Sequence, residues 1–149
     1  MFTRSRSLAL TTLTTLATAG LALAASPMTA SATPGTGVSA VTLTDYTVGG
    51  TEYVLKEITV APGGSTGWHY HPGAVSGLVR KGVLSHFDST CASDGVYRPG
   101  QTISEASGDG YVHIGRNLGK TPLVLEVLYR NPVGQPLAVD APNPGCSFQ

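Results

Sequence analysis

Two histidines one residue apart, His69 and His71, are the residues of this chain whose types and spacing are best suited to chemistry. Side chains on a β-strand repeat every two residues, so both imidazoles can point to the same face and reach one point. A third histidine, His113, lies within residues 111–116. Three neutral imidazoles that converge inside a pocket are suited to holding a divalent ion such as Zn, Fe, Ni, Cu or Mn.

These histidines lie in two segments that resemble the two sequence motifs of the cupin superfamily. The matching residues are Gly63, His69, His71 and Gly82 in the first motif, and His113 and Asn117 at the end of the second. The resemblance covers residues 63–117. It implies a small β-barrel of the double-stranded β-helix or jelly-roll type, with a divalent metal held by the three histidines.

The chain departs from the family pattern in both motifs. Val75 and Ser76 stand where the first motif usually has a glutamate, and neither is a usual metal ligand. The second motif lacks its usual proline and has Gly-Asp-Gly at residues 108–110. The carboxylate that normally accompanies the histidines must therefore come from elsewhere or be missing.

Glu105 and Tyr111 are the candidate catalytic residues. Glu105 lies eight residues before His113, and a hairpin-like return would bring its carboxylate over the same pocket as a ligand or general base; a solvent-facing position is the alternative. Tyr111 shares the strand face of His113 and is expected to line the pocket. His86 matches neither motif and is interpreted as structural or surface, with a pocket-lining proton donor as the alternative.

The first 32 residues are typical of a secretory signal peptide. Arg4 and Arg6 form a short basic start, residues 8–25 are apolar but rich in threonine, and an Ala-x-Ala site ends at Ala32. This order predicts export with cleavage after Ala32, or near residues 24–25 as the alternative. A transmembrane anchor is less favoured, because threonines dilute the apolar run and no basic cluster follows it.

The composition of the chain after residue 32 restricts the classes of partner that it can bind. Removing residues 1–32 leaves 117 residues, enough for one domain, and lowers Lys+Arg from 9 to 7 against 9 Asp+Glu. With a net charge of about −2 and no basic cluster, we exclude nucleic-acid binding and, after signal cleavage, membrane binding. We expect a small-molecule ligand, and leave a homodimer open as a further association.

Short segments rich in Val, Thr and Tyr, separated by Gly and Pro turns, predict an all-β fold. The predicted strands are residues 38–48, 52–60, 74–80, 83–88, 101–105, 111–116 and 123–130, with the histidine strand between the second and third. The expected organisation is a signal peptide at 1–32, a flexible N-terminus at 33–37, a cupin-like β-barrel at 38–140 and a mostly irregular tail at 141–149.

The two cysteines of the chain, Cys91 and Cys146, are predicted to form a disulfide that pins this tail. An even number of cysteines in an exported chain favours pairing, with two free thiols as the alternative. Closing a loop of about 55 residues would stabilise the fold by about 4 kcal/mol in the chain-entropy model.

Two functional hypotheses follow. The first is a secreted metal-dependent enzyme of dioxygenase or isomerase type that acts on a small molecule through His69, His71 and His113. The second is a secreted, non-catalytic module that binds a metal or a small molecule such as a sugar. A carboxylate beside the three histidines favours the enzyme, so the position of Glu105 separates the two.

Overall fold

The computed structural model describes residues 32–149, which fold into a barrel of ten strands. Their bounds are β1 Thr36–Val48, β2 Thr51–Ser65, β3 His69–Tyr70, β4 Ala74–Lys81, β5 Leu84–Asp88, β6 Ser93–Tyr97, β7 Thr102–Glu105, β8 His113–Arg116, β9 Leu123–Pro132 and β10 Val139–Asp140. This part of the chain contains no helix, and so none long and apolar enough to cross a membrane. Nearly all of the predicted signal peptide lies outside the described residues.

The strands form two groups that are joined along β2 and β8. The first group runs in the order β1-β2-β9-β4-β7, and the second in the order β10-β3-β8-β5-β6; every strand pair is antiparallel. Ser65 of β2 pairs with Arg116 of β8 and connects them. The predicted all-β jelly-roll barrel is confirmed.

The core lies between the inner faces of these strands. Along β9, Leu123, Leu125, Val127 and Tyr129 are buried and alternate with more exposed neighbours, as a strand with one face in a core requires. Leu84 of β5 packs into the same cluster from the second group. The predicted core strand at 123–130 is therefore correct, and it supplies one wall of the barrel interior.

Two parts of the sheet differ from the predicted strands. β2 continues past its predicted end at residue 60 to Ser65, because the backbones of Gly63 and Gly64 exchange hydrogen bonds with that of Asn117. β6 lies where no strand was predicted, and it pairs with β5. The sequence of β6 is polar and contains a glycine, so it does not show the apolar pattern from which strands are predicted. An exposed edge strand can pair through its backbone without apolar side chains.

The motif residues Gly82 and Asn117 act on the backbone. Gly82 has a φ of +76°, and a Cβ there would lie 2.7 Å from the carbonyl oxygen of Pro122, so a larger residue would be strained. The buried Asn117 donates from Nδ2 to the carbonyl oxygens of Val60 and Thr121. Asn117, directly after β8, thus ties the end of that strand to β2 and to the loop that follows.

The C-terminal segment covers the outer side of the histidine strand. Cys91 and Cys146 form the predicted disulfide, with Cα atoms 5.5 Å apart. Trp68 is fully buried beneath this segment, and its ring stacks with that of Phe148 at a centroid distance of 5.9 Å. β10, which directly precedes the tail, pairs with β3. With Trp68 packed outside, the histidines of this strand face the interior.

The N-terminal segment at 33–37 is tied to the barrel at its first residue. The Thr33 hydroxyl donates to the carbonyl oxygen of Ala141 and accepts from the backbone N–H of Trp68. β1 then begins at Thr36, two residues before its predicted start. We expected a flexible segment here, but these hydrogen bonds hold its beginning against the strand that carries the histidines.

Candidate metal centre

Three histidines converge inside the barrel. β3 places His69 directly opposite His113 of β8 in the antiparallel register, and His71 follows two residues later on the same face. The candidate ligand atoms of the three lie within 4.8 Å of one another, and Nε2 of His69 is 3.2 Å from Nε2 of His71. All three residues are buried, with His113 fully inaccessible. Sequence spacing and strand pairing together therefore produce one cluster of imidazoles.

The backbone fixes which ring nitrogen each of these histidines turns to the centre. Nδ1 of His69 lies 2.8 Å from the carbonyl oxygen of Gly67, Nδ1 of His71 lies 2.7 Å from that of Leu137, and Nδ1 of His113 lies 3.0 Å from that of Tyr111. A carbonyl oxygen only accepts, so each Nδ1 carries the proton and donates. In the neutral rings Nε2 is then a lone-pair donor, which is the arrangement that metal-bound histidines show.

Glu105 supplies the carboxylate that the first motif lacks. β7 pairs with β4 so that Glu105 lies directly opposite Val75, one of the positions where the family glutamate is missing. Its Oε2 atom is 3.1 Å from Nε2 of His71 and 3.6 Å from Nε2 of His113. Ligands bound to one ion at ~2.0–2.2 Å stand ~3.0–3.6 Å apart, and these contacts fall in that range.

His86 and Asp94 extend the cluster toward the surface. His86 is buried, with Nε2 3.3 Å from Oε1 of Glu105 and Nδ1 2.6 Å from Oδ1 of Asp94. Asp94 also accepts a hydrogen bond of 3.0 Å from the Tyr111 hydroxyl. Our interpretation of His86 as structural or surface understates its place, because it contacts the carboxylate of the cluster and belongs to a second group, with Glu105 and His113, that could hold an ion.

Tyr111 reaches the cluster indirectly. Its ring packs on that of His113 at a centroid distance of 4.8 Å, but its hydroxyl is bonded to Asp94 and it lines neither of the two cavities beside the histidines. Burial and the Asp94 carboxylate raise the pKa of Tyr111, so its hydroxyl stays protonated. The expectation that Tyr111 lines the pocket is therefore corrected to a position behind His113.

Burial and neighbouring charges set the ionisation of His69, Glu105 and His86, and they leave His69 and Glu105 with lone pairs that could bind a cation. Burial, helped by the charges of His113 and His71, lowers the pKa of His69 to about 3, so its ring is neutral at pH 7. Burial opposes ionisation of Glu105, yet contacts with the surrounding imidazoles hold its pKa well below the usual range. Burial likewise opposes charge on His86, but the Glu105 and Asp94 carboxylates raise its pKa. Glu105 is thus an anion among imidazoles.

The donor set fits a divalent cation. Within residues 32–149, Nε2 of His113 and Nε2 of His86 are buried without a hydrogen-bond partner. Nε2 of His71 lies 3.2 Å from Nε2 of His69 and 3.1 Å from Oε2 of Glu105, and all three atoms are acceptors in these states. Buried polar atoms are normally paired, and acceptors that face one another are stabilised by a cation between them. Imidazole and carboxylate ligands suit Fe, Mn, Zn, Ni or Cu, so the residues present could hold a divalent metal ion.

Two adjoining cavities give access to this cluster. The inner cavity, of about 50 Å³, is lined by His71, His86 and Glu105 together with apolar side chains. The outer cavity, of about 300 Å³, is bordered by His69, His71 and Tyr129. Tyr129, which sequence reasoning did not single out as functional, borders both cavities. Its position in the strand predicted at residues 123–130 could have indicated that Tyr129 faces the interior. No sequence pattern indicated a role for Asp94.

Comparisons with known proteins identify the fold. No protein-family model matches the sequence, and a search of curated proteins found no match. A recombinant oxalate oxidase in complex with glycolate is 26% identical with a TM-score of 0.57, and the alignment covers 69% of this chain and 54% of that one. The chain thus spans about half the length of that enzyme.

Two further solved structures align with this chain over most of their own length. The polyketide cyclase RemF from Streptomyces resistomycificus is 22% identical with a TM-score of 0.59, covering 74% of this chain and 78% of that one. A cupin-like protein from Thermotoga maritima is 18% identical with a TM-score of 0.60, covering 73% and 80%. The ten-stranded antiparallel barrel of this chain thus has the double-stranded β-helix fold of the cupins.

Proposed function

We propose that this protein is an exported, metal-dependent enzyme of dioxygenase or isomerase type that acts on a small molecule. His69, His71 and His113 hold the ion through Nε2, and Glu105 completes the ligand set through Oε2. The observation that carries the proposal is the carboxylate of Glu105, 3.1 Å from Nε2 of His71. Without it the cluster would be three imidazoles, and the non-catalytic binding module would be favoured.

A bound divalent ion would supply Lewis acidity and, where the ion is redox-active, one-electron chemistry. The chain supplies the rest. Carbonyl oxygens of Gly67, Leu137 and Tyr111 orient the three imidazoles, and His86 contacts the second oxygen of Glu105 at 3.3 Å. His86 therefore orients the Glu105 carboxylate at the inner cavity, and Asp94 orients His86 through Nδ1. Tyr111 acts on this pair through its hydrogen bond to Asp94.

The small-molecule character of the substrate is supported by the two cavities. The outer one, about 300 Å³, is at the lower end of the usual size of small-molecule sites. The oxalate oxidase neighbour was solved with glycolate, a small ligand. The alignment covers only part of that enzyme's chain, and a shared fold does not specify the reaction.

Export is supported by the Cys91–Cys146 disulfide, since structural disulfides persist in oxidising compartments. Cleavage after Ala32 would leave Thr33 as the first residue, and its hydroxyl is bonded to the barrel. A homodimer stays a prediction.

A reconstitution experiment tests the proposed function. Protein purified without a His tag is stripped with a chelator, reloaded separately with Fe, Mn, Zn, Ni or Cu, and screened for oxygen uptake and for isomerisation of small hydroxy and keto compounds. Turnover that depends on one of these ions and is lost in His113→Ala supports the enzyme. Stoichiometric metal binding without turnover for any ion would instead favour the non-catalytic module.

A further inference from the structure

We infer that the substrate is a neutral molecule with an apolar body and an oxygen that the metal centre binds, and that it is not a dicarboxylate. The inference rests on the proposed function, because it takes the histidine cluster as the reacting end of the cavity. It adds the class of ligand that the residues lining the cavities favour, which neither the histidines nor the fold determines.

The inner cavity is lined largely by apolar side chains. They come from β2, β5, β7 and β9 and include Ile58, Leu84, Ile103, Leu125 and Val127. Hydrocarbon side chains offer no hydrogen bond to a charged group, so an unpaired carboxylate buried against them is strongly disfavoured. The part of a ligand that faces these side chains must therefore be apolar.

The charges that border the cavities are negative. Glu105 lies inside and Asp140 lies at the outer cavity, whereas no lysine or arginine lines either one among the described residues. Recognition of a carboxylate in proteins usually relies on arginine, lysine or several N–H donors. A dicarboxylate would bring its second charge to a site that has no cation for it besides the metal, and would face Asp140 on the way in.

One neutral donor is available to a ligand oxygen. The Tyr129 ring contacts that of His71 at a centroid distance of 5.7 Å and borders both cavities, while its hydroxyl has no hydrogen-bond partner within residues 32–149. A tyrosine hydroxyl is protonated at neutral pH, so it can donate a hydrogen bond to a ligand oxygen. The other lining hydroxyl, Thr66, already donates to Gly67 and accepts from Gly115.

The sizes of the two cavities set the shape of the ligand. About 50 Å³ beside Glu105 admits a small group only, and about 300 Å³ outside admits a body of one or two rings. The two spaces share His69, His71 and Tyr129, so a ligand that bridges them passes the metal and the free hydroxyl together. A hydroxy-ketone or enolised diketone on an apolar ring has this combination of features.

Cobalt-loaded protein provides the test, because the visible absorption of the ion reports a change in its ligands. Maltol, a neutral hydroxy-pyranone, is titrated in parallel with oxalate and glycolate, and the same titrations are made with aqueous cobalt ion. We expect the ratio of maltol affinity to oxalate affinity to be at least ~10-fold higher on the protein than in water, since an unpaired buried charge is costly. An equal or lower ratio would overturn the inference.

Two variants locate the selectivity. Tyr129→Phe should weaken maltol about 3- to 10-fold, the loss of one hydrogen bond, and leave cobalt content unchanged. Asp140→Asn should strengthen oxalate about twofold at low salt without changing maltol, whereas Asp45→Asn, which lines neither cavity, should change neither. Unchanged affinities in both test variants would contradict the role of these walls.

The proposed function and this inference fail in different ways. Protein that binds no cobalt lacks the metal centre, and both proposals fall. If the protein binds cobalt stoichiometrically but shows the same ratio of maltol to oxalate affinity as the aqueous ion, the metal centre is retained. Only the substrate class inferred here is then wrong.

Discussion

The Glu105 carboxylate can be removed without changing the shape of the site, by Glu105→Gln. Its Oε2 atom lies 3.1 Å and 3.6 Å from two candidate ligand nitrogens, the spacing of groups that share one ion. Loss of a partner behind a ligand typically lowers metal affinity ~10- to 100-fold, and loss of a direct anionic ligand should reach at least the upper end of that range. We therefore expect ~100-fold weaker metal binding, or about 2.7 kcal/mol.

The register of β4 and β7 provides a rescue. Val75 lies directly opposite Glu105, and side chains opposite one another in an antiparallel pair have Cβ atoms ~4.5–5.5 Å apart. Exchanging the two residues, as Val75→Glu with Glu105→Val, moves the carboxylate to a position where the family usually has it. We expect the double variant to recover metal affinity to within ~10-fold of the original, since ligand charge and number are restored.

Competition with a chromophoric chelator measures these affinities, and circular dichroism checks that each variant is folded. Glu126→Gln is the matched control, because Glu126 lies on the outer face of β9, away from the cluster, and should change affinity less than ~2-fold. Wild-type affinity in Glu105→Gln would refute the assignment of Glu105 as a ligand. Failure of the exchange alone would mean that the position of the carboxylate matters as well as its presence.

Two further predictions concern stability. Replacing Cys91 and Cys146 by serine opens a loop of 55 residues and should lower the free energy of unfolding by about 4 kcal/mol in the chain-entropy model; denaturant melts that agree with those of the native protein would contradict it. Metal-free protein should lose stability as the pH falls below ~6.5, by up to ~1.4 kcal/mol per pH unit, because His69, with its pKa lowered to about 3, takes up its proton only on unfolding. Glu105, whose pKa is also lowered, adds to this loss below ~4.5, whereas the raised pKa of His86 stabilises the fold below ~6.5 and ceases to do so as the pH rises through that raised value. Urea melts between pH 4 and pH 8 in chelator test the sign, and a stability that rises from pH 6.5 to 4.5 would be inconsistent with it.

Much of the fold and part of the site follow from local sequence. The two-residue period places His69 and His71 on one face, because it depends only on strand geometry. The apolar run at residues 123–130 predicts a buried strand. The place of His113 came from the motif resemblance. These features needed no knowledge of which strands are neighbours.

The remainder depends on non-local pairing. Whether Glu105 faces the cavity is decided by the register of β7 against β4, and a slip of one residue would turn it outward. His86 was undervalued because its partner Asp94 lies on β6, a strand whose polar sequence resembles a loop. Tyr129 was assigned to the core, where it does lie, but the cavity beside it becomes visible only when β2 and β9 are assembled around the histidines.

Metal content of the untagged protein, with and without His71, tests the central claim most directly. His71 contributes an Nε2 atom 3.2 Å from that of His69 and 3.1 Å from the Glu105 carboxylate, and makes no part of the apolar core. We expect elemental analysis to find about one divalent ion per native chain and a small fraction of that in His71→Ala, with an unchanged circular dichroism spectrum. Equal metal content in the native protein and in folded His71→Ala would contradict a centre built on the three histidines.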